Sequence, residues 1–278
     1  MTRNQSIPIG PALLALVTGL VYAPVILGLF RDWMDDPNYS HGFLVPVVSG
    51  VLMWQRRGDL AALPLRPANI GLLGIVAACG MLVAGAAGAE VFTQRVSGVV
   101  LLASAAVYLR GWAWLRVSAF PIAFLLLAIP MPYVIYYGLT TPLQGLAAKT
   151  AGVALNGIGI LMIREGNIIH LPGTSLEVAE ACSGIRSLYA FLALGALLAR
   201  SLPIPYYAKW LVFLATVPLS VVGNAFRVFG TGVGVHLVGP AAAEGVVHES
   251  FGLIIFSVAL VFLFLLGKGA RSVWHSAS

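Results

Sequence analysis

Ser250-Phe251-Gly252-Leu253-Ile254-Ile255-Phe256-Ser257-Val258-Ala259-Leu260-Val261-Phe262-Leu263-Phe264-Leu265-Leu266 runs for 17 residues without a charge. A helix that crosses a bilayer needs about 20 predominantly apolar residues, and this run supplies most of one. The same reading upstream gives seven further segments, roughly 10–30, 42–54, 70–88, 97–109, 117–130, 184–199 and 209–223. The second, fourth and fifth are short and are expected to extend into their flanking loops. Of the 278 residues, 59% are hydrophobic and only 9% charged, with a mean hydropathy of +0.94. A soluble core of this length needs a far more polar surface. The expected fold class is therefore an all-α polytopic membrane protein with about eight transmembrane helices, built as a single domain over residues 1–278. Arg3 precedes the first span and no small-residue cleavage site follows it, so that span is expected to be a retained helix.

The net charge of +6 concerns orientation. With the N-terminus inside and sides alternating, Arg3, Arg56, Arg57, Arg66, Arg110, Arg116, Arg200, Lys209, Lys268 and Arg271 fall on the cytoplasmic side. These are 10 of the 16 basic residues, and they lie in short loops. The asymmetry is a positive-inside signature with both termini in the cytoplasm. The expected partner of this basic balance is membrane lipid, with no role for nucleic acid. The location that follows is the plasma (inner) membrane, crossed several times.

Most residues outside the spans then lie on the outer side, in segments 131–183 and 224–249. In the first, Leu139, Leu143, Leu146, Thr150, Val153 and Gly157 recur at steps of four and three, with Gln144, Lys149 and Asn156 off the stripe. This predicts an amphipathic helix lying on the membrane surface or packed against the bundle. Ile160 to Arg164, the turn-like Glu165-Gly166-Asn167 and Ile168 to Leu171 predict a small extracytoplasmic β-hairpin. Pro172-Gly173 breaks it, and Leu176-Glu177-Val178 alternates like another short strand. That strand leads into Ala181-Cys182-Ser183-Gly184.

Three stretches place chemistry at the outer face. Cys182 is expected in the first turn of the sixth span, where free N–H groups and the positive end of the helix dipole favour a thiolate. A helix beginning near 182 puts Arg186 on the same face four residues on; Ser183 and Arg186 are supporting candidates. Asn224 and Arg227, three apart, are expected at the outer end of the seventh span. An arginine at a membrane edge can donate to a developing oxyanion or clamp a carboxylate, or it can simply snorkel. His248 opens the eighth span and titrates near neutrality, so it can take a thiol proton and return it to a leaving amine. Glu244 or Glu249 is positioned to orient the ring. A thiol, a guanidinium and an imidazole on one face are the parts of a cysteine acyl-transfer site. No His or Cys pair has zinc-ligand spacing, so neither metal nor cofactor is expected. Cys79, in Ala77-Ala78-Cys79-Gly80, reads as a small packed hydrophobe in mid-span.

Glu180-Ala181-Cys182-Ser183-Gly184-Ile185-Arg186, Asn224-Ala225-Phe226-Arg227 and His248-Glu249-Ser250-Phe251-Gly252 together resemble the exosortase/archaeosortase family of multipass membrane cysteine transpeptidases. Tyr39-Ser40-His41-Gly42 followed by Trp54-Gln55-Arg56-Arg57 is similar to that family's N-terminal pattern, and Arg164-Glu165-Gly166-Asn167 resembles its pre-catalytic hairpin. The resemblance implies a thiol protease that recognises the C-terminal sorting tail of exported proteins, typically a Pro-Glu-Pro-type (PEP-CTERM) motif, a transmembrane helix and a basic end. It implies cleavage near the motif and transfer to a surface acceptor nucleophile, in bacterial members tied to exopolysaccharide loci. By position it implies Cys182 as nucleophile, Arg227 as the oxyanion or substrate-positioning group and His248 as general acid/base. Two rival classes are a multipass transporter and a non-catalytic assembly factor for envelope polysaccharide. Transporters carry inverted repeats and mid-membrane charges, whereas the ionisable residues here gather at the edges.

Overall fold

The computed structural model describes residues 9–171, 174–178, 184–243 and 245–275. The chain divides into two compact units between Pro132 and Tyr133. The first holds α1 (Ile9–Asp35), a 3-10 segment (Pro37–Phe43), α2 (Leu44–Gln55), α3 (Arg57–Ala62), α4 (Ile70–Ala87), α5 (Val91–Arg110), α6 (Trp112–Phe124) and a second 3-10 turn (Leu125–Ala128). The second holds α7 (Tyr133–Gly157), β1 (Ile163–Glu165), β2 (Ile168–Leu171), β3 (Thr174–Glu177), α8 (Ile185–Ser201), α9 (Tyr206–Leu214), α10 (Thr216–Val238), a 3-10 turn (Pro240–Ala243) and α11 (Gly245–His275).

The eight apolar segments are helical over most of their length, 117–130 passing from α6 into a 3-10 turn. Five helical stretches are long and apolar enough to cross a membrane: 16–35, 70–87, 91–110, 206–238 and 248–274. Counting 112–128 with 133–157 as one broken span makes six. Segments 42–54 and 184–199 form shorter helices, α2 of 12 residues and α8 of 17. The chain is thus a mostly helical, polytopic membrane protein.

In the first unit, α4 and α5 approach through small residues. A Cβ on Gly71 would lie 2.5 Å from the Tyr108 nitrogen and 2.7 Å from the Ser104 carbonyl oxygen, and Ala78 is fully buried. Close backbone contact of this kind drives helix association where lipid removes the hydrophobic effect. Glu90 caps α5 by accepting from the N–H groups of Phe92 and Thr93 at 3.1 and 2.7 Å. The Tyr39-Ser40-His41-Gly42 motif is a packing joint. Gly42 lies flush against the Trp33 indole, where a Cβ would collide. Trp33 donates its ring N–H to the Ala128 carbonyl at 2.8 Å, and His41 Nε2 lies 3.2 Å from the Leu127 carbonyl oxygen. Cys79 is exposed on α4, so it faces the surroundings of the helix and is not packed as its small size suggested.

In the second unit, the strands form an antiparallel sheet in the order β1-β2-β3. The hairpin expected from the sequence is present with a two-residue loop, since Glu165 pairs with Ile168 and Gly166 takes the left-handed φ of +62°. Such loops demand a positive φ that glycine alone adopts freely. Ile169, Leu171 and Leu176 from the sheet share one core with Ala147, Ala148, Ala151 and Leu155 of α7 and with Val228 and Val235 of α10. The sheet packs on α7, and α7 in turn packs on α10, the helix that carries Arg227.

The apolar stripe of α7 does not pack into the core of its unit. Leu139, Leu146 and Val153 are exposed, whereas Tyr136, Thr140, Ala147, Ala148, Ala151 and Leu155 are buried. In a lipid setting the bulky stripe faces outward and the small residues form the seam. The 224–249 segment differs from expectation, because α10 continues unbroken to Val238. Arg227 thus lies within a long apolar helix and not at its end.

Candidate active site

Two of the expected catalytic residues meet. Arg227 Nη2 lies 2.9 Å from His248 Nε2, bringing α10 and the first turn of α11 together. The guanidinium rests on Gly252, one turn further along α11, where a Cβ would lie 2.9 Å from Nε and 3.1 Å from Cζ. Phe251, beside it, lies against Gly230 of α10, with no room for a Cβ there. Two glycines, one on each helix, let the pair close around a large cationic side chain.

Asn224 joins the third motif to the same place. It is buried on α10, three residues before Arg227 and hence on its face. Gly184, the N-cap of α8, packs against it: a Cβ on Gly184 would lie 2.8 Å from Asn224 Cγ. Gly184 has φ +79° and ψ −1°, a left-handed conformation that disfavours a side chain. Gly184 thus meets Asn224, and His248 and Gly252 meet Arg227, on one face of α10.

Cys182, Ser183 and Glu244 lie outside the described residues. The chain on either side of 179–183 is held. Upstream, the Val178 N–H donates to the Asn167 carbonyl at 2.9 Å, and the Asn167 side-chain N–H donates back to the Val178 carbonyl at 3.3 Å. Downstream, Gly184 is seated on Asn224. Helix α8 begins at Ile185, later than expected, because the left-handed Gly184 interrupts the helical path. The expected helical relation between 182 and 186 involves a residue outside the described ones. Arg186 is exposed and makes no hydrogen bond or ion pair with a described residue, so the structure does not bring it to Arg227 and His248.

A described neighbour of His248 Nδ1 is a hydroxyl; of the two expected glutamates, Glu244 lies outside the described residues. Glu249 is exposed, and α11 begins at Gly245. Thr231 Oγ1 lies 3.4 Å from Nδ1 and donates to the Arg227 carbonyl at 2.9 Å. Thr231 was not singled out by sequence reasoning, although it stands four residues after Arg227 and seven after Asn224, on one helical face. Among the described residues no group of three or more His, Cys, Asp or Glu is placed to hold a metal ion.

The helices and this Cys-motif, Arg and His assembly define an integral membrane protein with a polar site built into its helix ends and seams. A family model described as transmembrane exosortase matches residues 33–265, most of the chain. The chain belongs to the transmembrane exosortase family. No curated protein and no solved structure matches it.

Proposed function

We propose that this protein is a membrane cysteine protease and transpeptidase that removes the C-terminal sorting tail of exported proteins. In this reading the Cys182 thiolate attacks the scissile carbonyl, and Arg227 donates to the developing oxyanion or holds a substrate carboxylate. His248 accepts the thiol proton and returns it to the leaving amine. The peptide C–N bond breaks, a thioester joins the exported protein to Cys182, and an acceptor nucleophile or water then cleaves that thioester. Asn224 positions the Cys motif through Gly184. The site faces the extracytoplasmic side of an inner membrane, with both termini cytoplasmic, in keeping with the Lys/Arg asymmetry.

One observation carries this reading: residues of three separated motifs converge on Asn224 and Arg227. Gly184 touches Asn224, and two peptide units separate Cys182 from Gly184, a reach of about 7 Å at full extension.

The test is processing of a co-expressed protein bearing a sorting tail, followed by mass spectrometry. Cys182→Ala should abolish tail removal with insertion intact, Cys182→Ser should nearly do so, and Cys79→Ser should process normally. Arg227→Lys keeps the charge but loses the planar fork, so it should lose most activity. Wild-type processing by Cys182→Ala rules out the cysteine nucleophile.

A further inference from the structure

Helices α8 and α11 have between them an apolar cleft of about 290 Å³. Its walls are Leu198 and Leu202 of α8 and Val261, Phe264 and Leu265 of α11, and Lys268 and Arg271 line its far end. On α11 the lining runs from Val261 to Arg271, about 15 Å along the helix axis. That is half of the roughly 30 Å hydrocarbon core of a bilayer, so the cleft is one leaflet deep. Spread over this length, the volume makes a channel about 5 Å across, room for a hydrocarbon chain but not for a helix, which measures about 10 Å with its side chains.

The charged end stands at headgroup height. Trp274 ends the apolar span of α11 and donates its ring N–H to the Tyr207 hydroxyl at 2.7 Å. Tyr206 and Trp210 are exposed on α9 beside it. Aromatic residues gathered in this way mark a membrane–water interface. Lys268 and Arg271, three apart and hence on one helical face, are exposed and make no ion pair with a described residue. From 181 to 243 and from 250 to 278 the sequence has no Asp or Glu, so no carboxylate on α8, α9, α10 or the rest of α11 neutralises them.

We propose that this cleft binds an anionic glycerophospholipid of the surrounding bilayer, with one acyl chain between α8 and α11 and the phosphate held by Lys268 and Arg271. Basic residues at the end of an interhelical cleft select such headgroups, and a guanidinium can meet a phosphate with two parallel N–H bonds. A second copy of the chain fits poorly, because parallel insertion would set the same two cations against each other. The lipid ties together the far halves of the two helices whose opposite ends carry Gly184 and His248.

The test uses the full chain in detergent, stripped of lipid, with phosphatidylglycerol or phosphatidylcholine of the same acyl chains added back and retention read by native mass spectrometry. The wild type should bind one phosphatidylglycerol about ten-fold or more tighter than phosphatidylcholine, as two cations at a headgroup support. Lys268→Gln/Arg271→Gln should erase that preference. Arg66→Gln/Arg110→Gln, an equal loss of charge in the other unit, should keep it. Val261→Trp, which fills the apolar wall, should weaken both lipids. Phosphatidylglycerol with a diazirine in its acyl chain should label wild-type peptides around Leu198 and Leu265, a readout that needs no variant to fold. Equal retention of the two lipids by the wild type, or a preference that survives loss of Lys268 and Arg271, overturns the headgroup site. An equal effect of the control pair reduces the preference to net charge and overturns it too. Unchanged binding in Val261→Trp, or labels confined to other helices, overturns the acyl-chain site. Disulfide-linked dimers through Val261→Cys, in a Cys79→Ser, Cys182→Ala background, assign the face to a second copy instead. None of these readouts depends on the cysteine-protease reading.

Discussion

Gly184 and Asn224 are in direct contact, with space between them for no further carbon: a Cβ on Gly184 would lie 2.8 Å from Asn224 Cγ and 2.9 Å from its Cβ. The left-handed φ of +79° at Gly184 adds a cost of about 1 kcal/mol or more for any side chain. Gly184→Ala should therefore lower the melting temperature in detergent and abolish tail processing. A variant with wild-type activity would show that this contact does not position the Cys motif.

Gly252 gives the complementary case. It is helical with an ordinary φ, so alanine there is favoured by up to about 1 kcal/mol of helix propensity. The added Cβ would sit 2.9 Å from Arg227 Nε, and the flexible guanidinium end is what yields. Gly252→Ala should keep or slightly raise the melting temperature while tail processing falls at least ten-fold. Stability and activity moving down together would point to a packing defect and not to displacement of Arg227.

Asp32 and Arg95 form a 2.7 Å ion pair whose two ends differ in environment: the Arg95 side chain is 6% exposed and that of Asp32 41%. Removing the buried member leaves a carboxylate that is already partly exposed. Removing the exposed member strands a buried cation, a loss of about 3 kcal/mol for a fully enclosed pair and somewhat less at this half-open one. Asp32→Asn should thus depress the melting temperature more than Arg95→Met. Equal shifts would mean that Arg95 is solvated through another route.

Orientation is open to direct measurement at the hairpin. The Glu165 side chain is 75% exposed, and its contact with His170 is a surface pair at 3.6 Å, so its loss costs little. In a Cys79→Ser, Cys182→Ala background, Glu165→Cys should react with a membrane-impermeant maleimide on intact spheroplasts. Labelling only after permeabilisation would invert the N-in arrangement and remove the basis for sorting at the surface.

What was readable in advance followed the range of the forces involved. The hairpin is a local object: alternation and one turn glycine define it, although β1 is shorter than the pattern suggests and takes in Glu165. The helices followed from apolar length. The packed face of α7 did not, because a stripe of Leu139, Leu146 and Val153 means core in water but lipid contact in a membrane, where Ala147, Ala148 and Ala151 mark the seam. Arg227 reads as a span end because charge normally terminates an apolar run. Here His248 and Gly252 receive the guanidinium inside the helix, a tertiary fact that no window of hydropathy contains. Thr231 was overlooked because a hydroxyl on a helix usually bonds its own backbone. It does so here, and its second contact is made across helices.

The two glycines beside the site carry their information as missing atoms. Scanning mutagenesis by alanine is conceived as subtraction, and at most positions it removes what a side chain contributes. At 184 and 252 the same substitution is an addition, and a survey that skips glycine passes over both. The informative library here runs the other way, through methyl, hydroxymethyl and larger groups. The increment at which activity fails would then measure how much room the Cys motif and the guanidinium each possess.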